Sequence, residues 1–202
     1  MLRGSVAGPA DARGIVVFAH GSGSSRASPR NIQVAEALND VGLATLLFDL
    51  LTEEEAGDRA NVFDIPLLAE RLAAATSWVE VEPELDRLPI GYFGASTGAA
   101  AALSAAAGND AVAAIVSRGG RPDLAAPRLA EVRAPTLLIV GGNDDVVLEL
   151  NREALRLLTC EAQLRVVERA THLFEEPGAL EEVARLACDW FARHLTTARG
   201  RP

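Results

Sequence analysis

Five short stretches hold most of the side chains able to do chemistry: Gly94-Ala95-Ser96-Thr97-Gly98, Gly141-Gly142-Asn143-Asp144-Asp145, Ala170-Thr171-His172, His20-Gly21-Ser22-Gly23-Ser24-Ser25 and Ser117-Arg118-Gly119-Gly120-Arg121. The first fits G-x-S-x-G. A serine between glycines suits a nucleophile on a sharp strand-to-helix turn, where any larger flanking side chain would strike the neighbouring strand or helix. Ala99 to Ala102 continue that smallness into what would be the first turns of the helix.

A serine hydroxyl attacks poorly until a base takes its proton, and the base needs a partner that fixes its tautomer. The chain has three histidines. His194 lies in an amphipathic terminal segment and is expected to pack or to point to water. His20 ends an apolar run beside Gly21, where it would shape a loop through hydrogen bonds. His172 follows another apolar run and can swing over Ser96, so it is the candidate base. Asp144 or Asp145 supplies the acid, and the spacing Gly141-x-x-Asp144-x-x-Val147 favours Asp144, with Val147 packing inward. The chain order Ser96, Asp144, His172 is the order of nucleophile, acid and base in one well-known hydrolase arrangement.

Acyl transfer places negative charge on the substrate carbonyl oxygen, and N–H groups must already point at it. Thr97, next after the serine, would give one backbone donor. The loop HGSGSS would give the other, with Ser22 the expected residue because Gly21 lets the backbone come close. The same loop could cradle a phosphate, but it lacks G-x-G-x-x-G. Ser24 would line the pocket mouth, or else belong to a solvated loop, the favoured reading. Arg118 and Arg121 would clamp a substrate carboxylate or phosphate, or else pair with Asp123 or a nearby glutamate.

These residues need a scaffold that gathers them. Aliphatic runs at Ile15–Ala19, Leu43–Phe48, Ile90–Phe93, Ala113–Val116, Thr136–Val140 and Leu164–Val167 read as buried strands, with Leu2–Val6 a further edge strand. Helical patterns fall at Asn31–Val41, Val62–Ala75, Thr97–Ala107, Leu148–Leu158 and Gly178–Leu195. The segment LTEEEAGDRANVF is expected to be a solvated turn. This alternation predicts an α/β fold, a mostly parallel sheet with helices on both faces. Ligands bind such sheets beyond the carboxyl ends of the strands, and that edge is where the five stretches fall.

The 202 residues, 49% hydrophobic, suit one domain with a core over about 14–195 and a frayed tail at 196–202. Nothing at the N-terminus reads as a signal peptide and no apolar stretch reaches membrane-span length, so a cytoplasmic protein is expected. The net charge of −9 opposes binding to nucleic acid and to anionic membrane surfaces. All 19 basic residues are arginine. The absence of lysine excludes a Schiff base, a Ser-Lys dyad and a Walker phosphate loop. Cys160 and Cys188 lack zinc-site spacing and read as small core residues, so neither a metal nor an organic cofactor is expected.

FAHGSGSS, GASTGAAAAL, VGGNDDVV and ATHLFEEPGAL together resemble the α/β-hydrolase fold, specifically a minimal hydrolase related to the dienelactone hydrolase family, over about 15–195. Members of that family carry a cysteine nucleophile where this chain has Ser96. The chain is similar to serine-containing relatives of unassigned substrate, some of them joined to a phosphoribosyltransferase domain, and no such domain is expected here. The stretch between the fifth and sixth predicted runs, SRGGRPDLAAPRLAEVRA, is too short for the helical cap that many members insert. An open, shallow site for small or protruding substrates follows, which disfavours a lipase. The expected activity is serine-dependent hydrolysis of a small carboxylic ester or thioester. An acyltransferase with the same residues, a non-catalytic binding protein of this fold and an anion- or nucleotide-binding module are the alternatives. The oligomeric state is not legible.

Overall fold

The computed structural model describes residues 2–195. The expected frayed tail lies outside them.

A short strand β1 (Gly4–Ala7) leads to the buried β2 (Ile15–Ala19). Helix α1 (Pro29–Asp40) follows, started by Ser28, whose hydroxyl accepts the Asn31 N–H, and by Pro29, whose fixed φ suits a first helical position. Then come β3 (Ala44–Phe48), two four-residue helices α2 (Glu53–Ala56) and α3 (Arg59–Val62), and the longer α4 (Ile65–Val79). The expected solvated turn is therefore two helical turns. Each has its own cap: Thr52 and Glu55 form a reciprocal capping box, and Asp58 accepts the Ala60 N–H. Such caps act over three residues and leave no trace in hydrophobic periodicity. They also push the start of α4 to Ile65, where Asp64 caps it.

Strand β4 (Ile90–Ala95) runs into α5 (Thr97–Ala106), and β5 (Val112–Arg118) into a 3-10 helical segment, Pro122–Glu131. That segment packs on α5 instead of rising as a cap. Strand β6 (Thr136–Gly141) gives way to α6 (Asp145–Leu157), and β7 (Ala162–Val167) to α7 (Ala179–His194).

The strands form one sheet in the order β1-β3-β2-β4-β5-β6-β7, parallel except for β1, which runs antiparallel to β3. Helices cover both faces, as expected. Alternation along β2 divides the core: Ile15, Val17 and Ala19 face α4 and α5, while Val16 and Phe18 face α1 and α7. Strand β7 was expected to be buried, yet it is the outer edge and only Val167 is buried along it. Cys160 and Cys188 are half-buried at the margins of the two cores, and burial pushes the Cys188 thiol up to about 11.

From β2 the chain steps outward to β3, then returns to lay β4 on the other side of β2 and continues to β7. The carboxyl ends of β2 and β4 thus flank the point where the sheet order reverses, the place where open α/β sheets leave a crevice.

Candidate active site

Ser96 sits between β4 and α5 with φ 51° and ψ −120°, a backbone conformation that side-chain-bearing residues rarely adopt. The neighbouring glycines explain how the chain tolerates it. A Cβ on Gly94 would lie 2.5 Å from Ala99 Cα, and one on Gly98 would lie 2.1 Å from Ala19 O. Backbone meets backbone at both places, so only glycine fits. Ser96 N–H donates to Arg118 O (3.2 Å), and Ser96 O accepts from Arg121 N–H (3.1 Å), which ties the turn to the end of β5. Ser96 makes no side-chain cap of α5, so its hydroxyl is not spent on its own helix.

Three residues beyond β6, Asp144 occupies the position just before α6 and likewise makes no cap hydrogen bond. Its Oδ2 lies 2.6 Å from His172 Nδ1. With Nδ1–H donated to the carboxylate, Nε2 is the nitrogen left with a lone pair. The Asp144 side chain is 15% exposed and that of His172 38%, so the acid is screened from water and the imidazole is reachable. Backbone contacts hold the two loops together. Asn143 N–H donates to Ala170 O (2.9 Å), Asn143 Nδ2–H to Arg169 O (2.8 Å), and a Cβ on Gly141 would lie 2.4 Å from Ala170 O. His172 also meets the β5 end: a Cβ on Gly119 would lie 3.5 Å from His172 Cε1. Because Gly119 lies between Arg118 and Arg121, the segment that clasps the Ser96 backbone is the segment against which His172 rests. Asp145 is the first residue of α6 and makes no such contact with the imidazole.

The HGSGSS loop packs on the Ser96 turn, with a Cβ on Gly21 lying 3.0 Å from Ser96 Cβ. His20 acts as the loop's brace. Its Nε2 accepts the Leu50 N–H (3.0 Å), so Nδ1 carries the proton and donates to Gly21 O (3.1 Å). Burial pushes the His20 pKa down, which keeps it in this neutral form. In a trans peptide the carbonyl and the following N–H point in opposite directions. Fixing Gly21 C=O therefore fixes the Ser22 N–H, which donates to Thr97 Oγ1 (2.9 Å). The Thr97 N–H begins α5 and has no partner within that helix. Sequence reasoning brought Ser22 and Thr97 together as backbone donors but missed the Thr97 hydroxyl. The only signal for it was a hydroxyl residue next to the serine.

Ser22, Ser24 and Thr97 line a cavity of about 650 Å³ shared with Asp49, Leu50 and Val62. This recess lies on the β3 side of the Ser96 turn, and Ser96, Asp144 and His172 are not among the residues that line it. Arg121 is paired in a bidentate contact with Asp123 (2.8 and 2.7 Å), the ion-pair alternative for this residue. Arg118 has no acidic partner among the described residues: its Nε and Nη1 are buried and unsatisfied. Burial, with the Arg30 charge adding to it, pulls its pKa down to about 10. His194 packs tilted against Trp190, with ring centroids 4.4 Å apart, at the end of α7. Among the described residues no cluster of side chains suits a metal ion, and no helix is long and apolar enough to cross a membrane.

The chain matches the dienelactone hydrolase family over residues 2–199. It is 56% identical to the dienelactone hydrolase from Anabaena variabilis, with a TM-score of 0.93 over 96% of this chain and 92% of that one. Est1E from Butyrivibrio proteoclasticus shares the fold at 15% identity, with a TM-score of 0.81 over 95% of this chain and 93% of that one. Among curated proteins, the "Putative phosphoribosyl transferase Rv0571c" of Mycobacterium tuberculosis is 64% identical over 195 residues, which are 96% of this chain and 44% of that protein. "Uncharacterized protein Rv2307c" of the same organism is 30% identical over 81% of this chain and 64% of its own length. The chain therefore spans less than half the length of the Rv0571c protein.

Proposed function

The chain belongs to the dienelactone hydrolase family, and on that premise we propose that it is a cytoplasmic serine hydrolase cleaving a small carboxylic ester or thioester through an acyl-enzyme. The observation that carries this reading is the 2.6 Å contact between Asp144 and His172, with His172 resting on Gly119 in the same segment that bonds the backbone of the strained Ser96. His172 Nε2 takes the Ser96 proton as Oγ bonds to the substrate carbonyl carbon. The carbonyl π pair becomes an oxyanion met by the Thr97 N–H at the start of α5. Collapse expels the alcohol or thiol, which receives the proton from Nε2. Water then repeats the sequence and releases the acid. Asp144 orients the imidazole and stabilises its cation. This chemistry needs neither a metal nor an organic cofactor.

The recess beside Ser22 and Thr97 would receive one arm of the substrate, with Ser24 at its wall. The unpaired Arg118 guanidinium would favour a carboxylate or phosphate substituent. Two free, half-buried thiols suit a reducing compartment. The transferase name belongs to proteins of which this chain covers 44%, so the reading concerns the shared part alone.

Hydrolysis of short-chain 4-nitrophenyl esters and acyl thioesters, with and without added alcohols, tests the proposal. Free acid should dominate the products, and Asp144→Asn should lower kcat by roughly 10⁴-fold, because its amide cannot hold the productive tautomer. Transfer to the added alcohol in preference to water would favour the acyltransferase alternative. Turnover unaffected by Asp144→Asn would remove the catalytic reading.

A further inference from the structure

Resting on that reading, we infer that Thr97 binds the oxyanion twice, through its backbone N–H and through its side-chain hydroxyl, with the Ser22 N–H acting behind it as the group that aims the hydroxyl. The Ser22 N–H is not free in this structure: it donates to Thr97 Oγ1 at 2.9 Å. That bond uses a lone pair of Oγ1 and leaves the hydroxyl proton to be donated elsewhere. Among the described residues no acceptor takes it. Threonines within helices commonly donate to a carbonyl in the preceding turn. Thr97 is the first residue of α5 and has no preceding turn. Thr97 is nevertheless almost fully buried, at 2% exposure, and lines the recess with His20, Gly21 and Ser22.

The parts around it fix the direction. His20 Nδ1–H holds Gly21 O, so the Ser22 N–H points at Thr97 Oγ1 and cannot swing toward the substrate without breaking the brace. Gly98, pressed against Ala19 O, sets the distance between the β2 end and the first turn of α5. A hydrogen bond accepted by a hydroxyl strengthens the one it donates, and O–H donors to an anionic oxygen are among the short, strong contacts. Charge developing on the substrate oxygen would thus be met by two donors from the residue next to the nucleophile. One of them is polarised by the loop peptide. No covalent bond to Thr97 forms or breaks in this role.

Thr97→Val keeps the shape, removes the hydroxyl and leaves the Ser22 N–H without its acceptor, while Thr97→Ser restores the hydroxyl. The readouts are kcat and KM for 4-nitrophenyl acetate and the rate of phosphonylation by a small fluorophosphonate, whose phosphoryl oxygen occupies the same hole. The inference predicts a fall of roughly 100-fold or more in kcat and in phosphonylation rate for Thr97→Val, with KM little changed. Thr97→Ser should remain within about tenfold of wild type on the same measure of donor loss. Thr97→Ala takes the place of the valine variant if that protein does not fold, and the same fall is expected. Equal or faster reaction in Thr97→Val would mean the hydroxyl merely occupies the Ser22 N–H at rest, and would overturn the inference. So would a lowered Tm with unchanged kcat, the mark of a structural role. Wild-type protein that takes no label at Ser96 would bring down the serine-hydrolase reading itself, an outcome distinct from these.

Discussion

At the scale of single residues, the chemistry depends on a few neutral or paired groups held in one protonation state. His20 is the clearest case. Its Nε2 must stay unprotonated to accept the Leu50 N–H, and burial lowers its pKa from the ordinary 6.5. The folded state therefore binds its proton less readily than the unfolded chain does. Stability from this brace is fully present above about pH 6.5, the unfolded value, and is lost as the pH falls through the lowered folded value. The advantage of wild type over His20→Gln in thermal unfolding should accordingly shrink between about pH 7.5 and about pH 5. A constant difference would show that His20 does not titrate against its Leu50 contact. At this scale the sequence was informative about residue types and poor about partners. Ser96, Asp144 and His172 stand out because few other groups could serve. That the Ser22 N–H ends on Thr97 Oγ1 depends on a peptide orientation set by a histidine, and no spacing rule encodes that.

At the scale of elements, the site is built where backbones touch. Gly98 lets α5 approach the β2 end, and Gly141 lets the Asp144 turn approach the His172 loop. Each substitution by alanine would drive a Cβ into a carbonyl oxygen that its strand or loop holds in place. Gly98→Ala should destabilise by on the order of 3 kcal/mol or more, the upper range of overpacking in a rigid site, measured by denaturant unfolding. It should also lower the proposed ester hydrolysis in whatever folded fraction remains, since Thr97 and Ser22 must part. A loss below about 0.5 kcal/mol, typical of a surface change, would contradict this packing. Strands were legible from their aliphatic runs because most are buried on both faces. The exposure of β7 and the capped turns α2 and α3 were not, since an edge position is set by place in the sheet and a cap by a single hydrogen bond.

At the scale of the whole molecule, one sheet joins two hydrophobic layers, with α4 and α5 on one face and α1 and α7 on the other. The strand alternation that divides them also couples them, because each of β2 to β7 contributes to both. We expect the described residues to unfold as one cooperative unit. Trp78 in α4 and Trp190 in α7 report on opposite faces, so fluorescence of Trp78→Phe and Trp190→Phe should give the same denaturation midpoint as far-UV circular dichroism, after allowing for each variant's own stability. Separate midpoints within one variant would mean that the two layers melt independently. The fold was legible from the rhythm of strands and helices. The recess of about 650 Å³ was not, because it forms between segments that lie far apart along the chain.

The central claim is that Ser96 is an activated nucleophile served by His172. Intact-mass measurement after exposure to a small fluorophosphonate tests it most directly, on wild type, Ser96→Ala and His172→Ala. One adduct is expected on wild type, located at Ser96, none on Ser96→Ala, and little or none on His172→Ala. A folded wild-type protein that stays unmodified, or an adduct that survives the loss of Ser96, would contradict it.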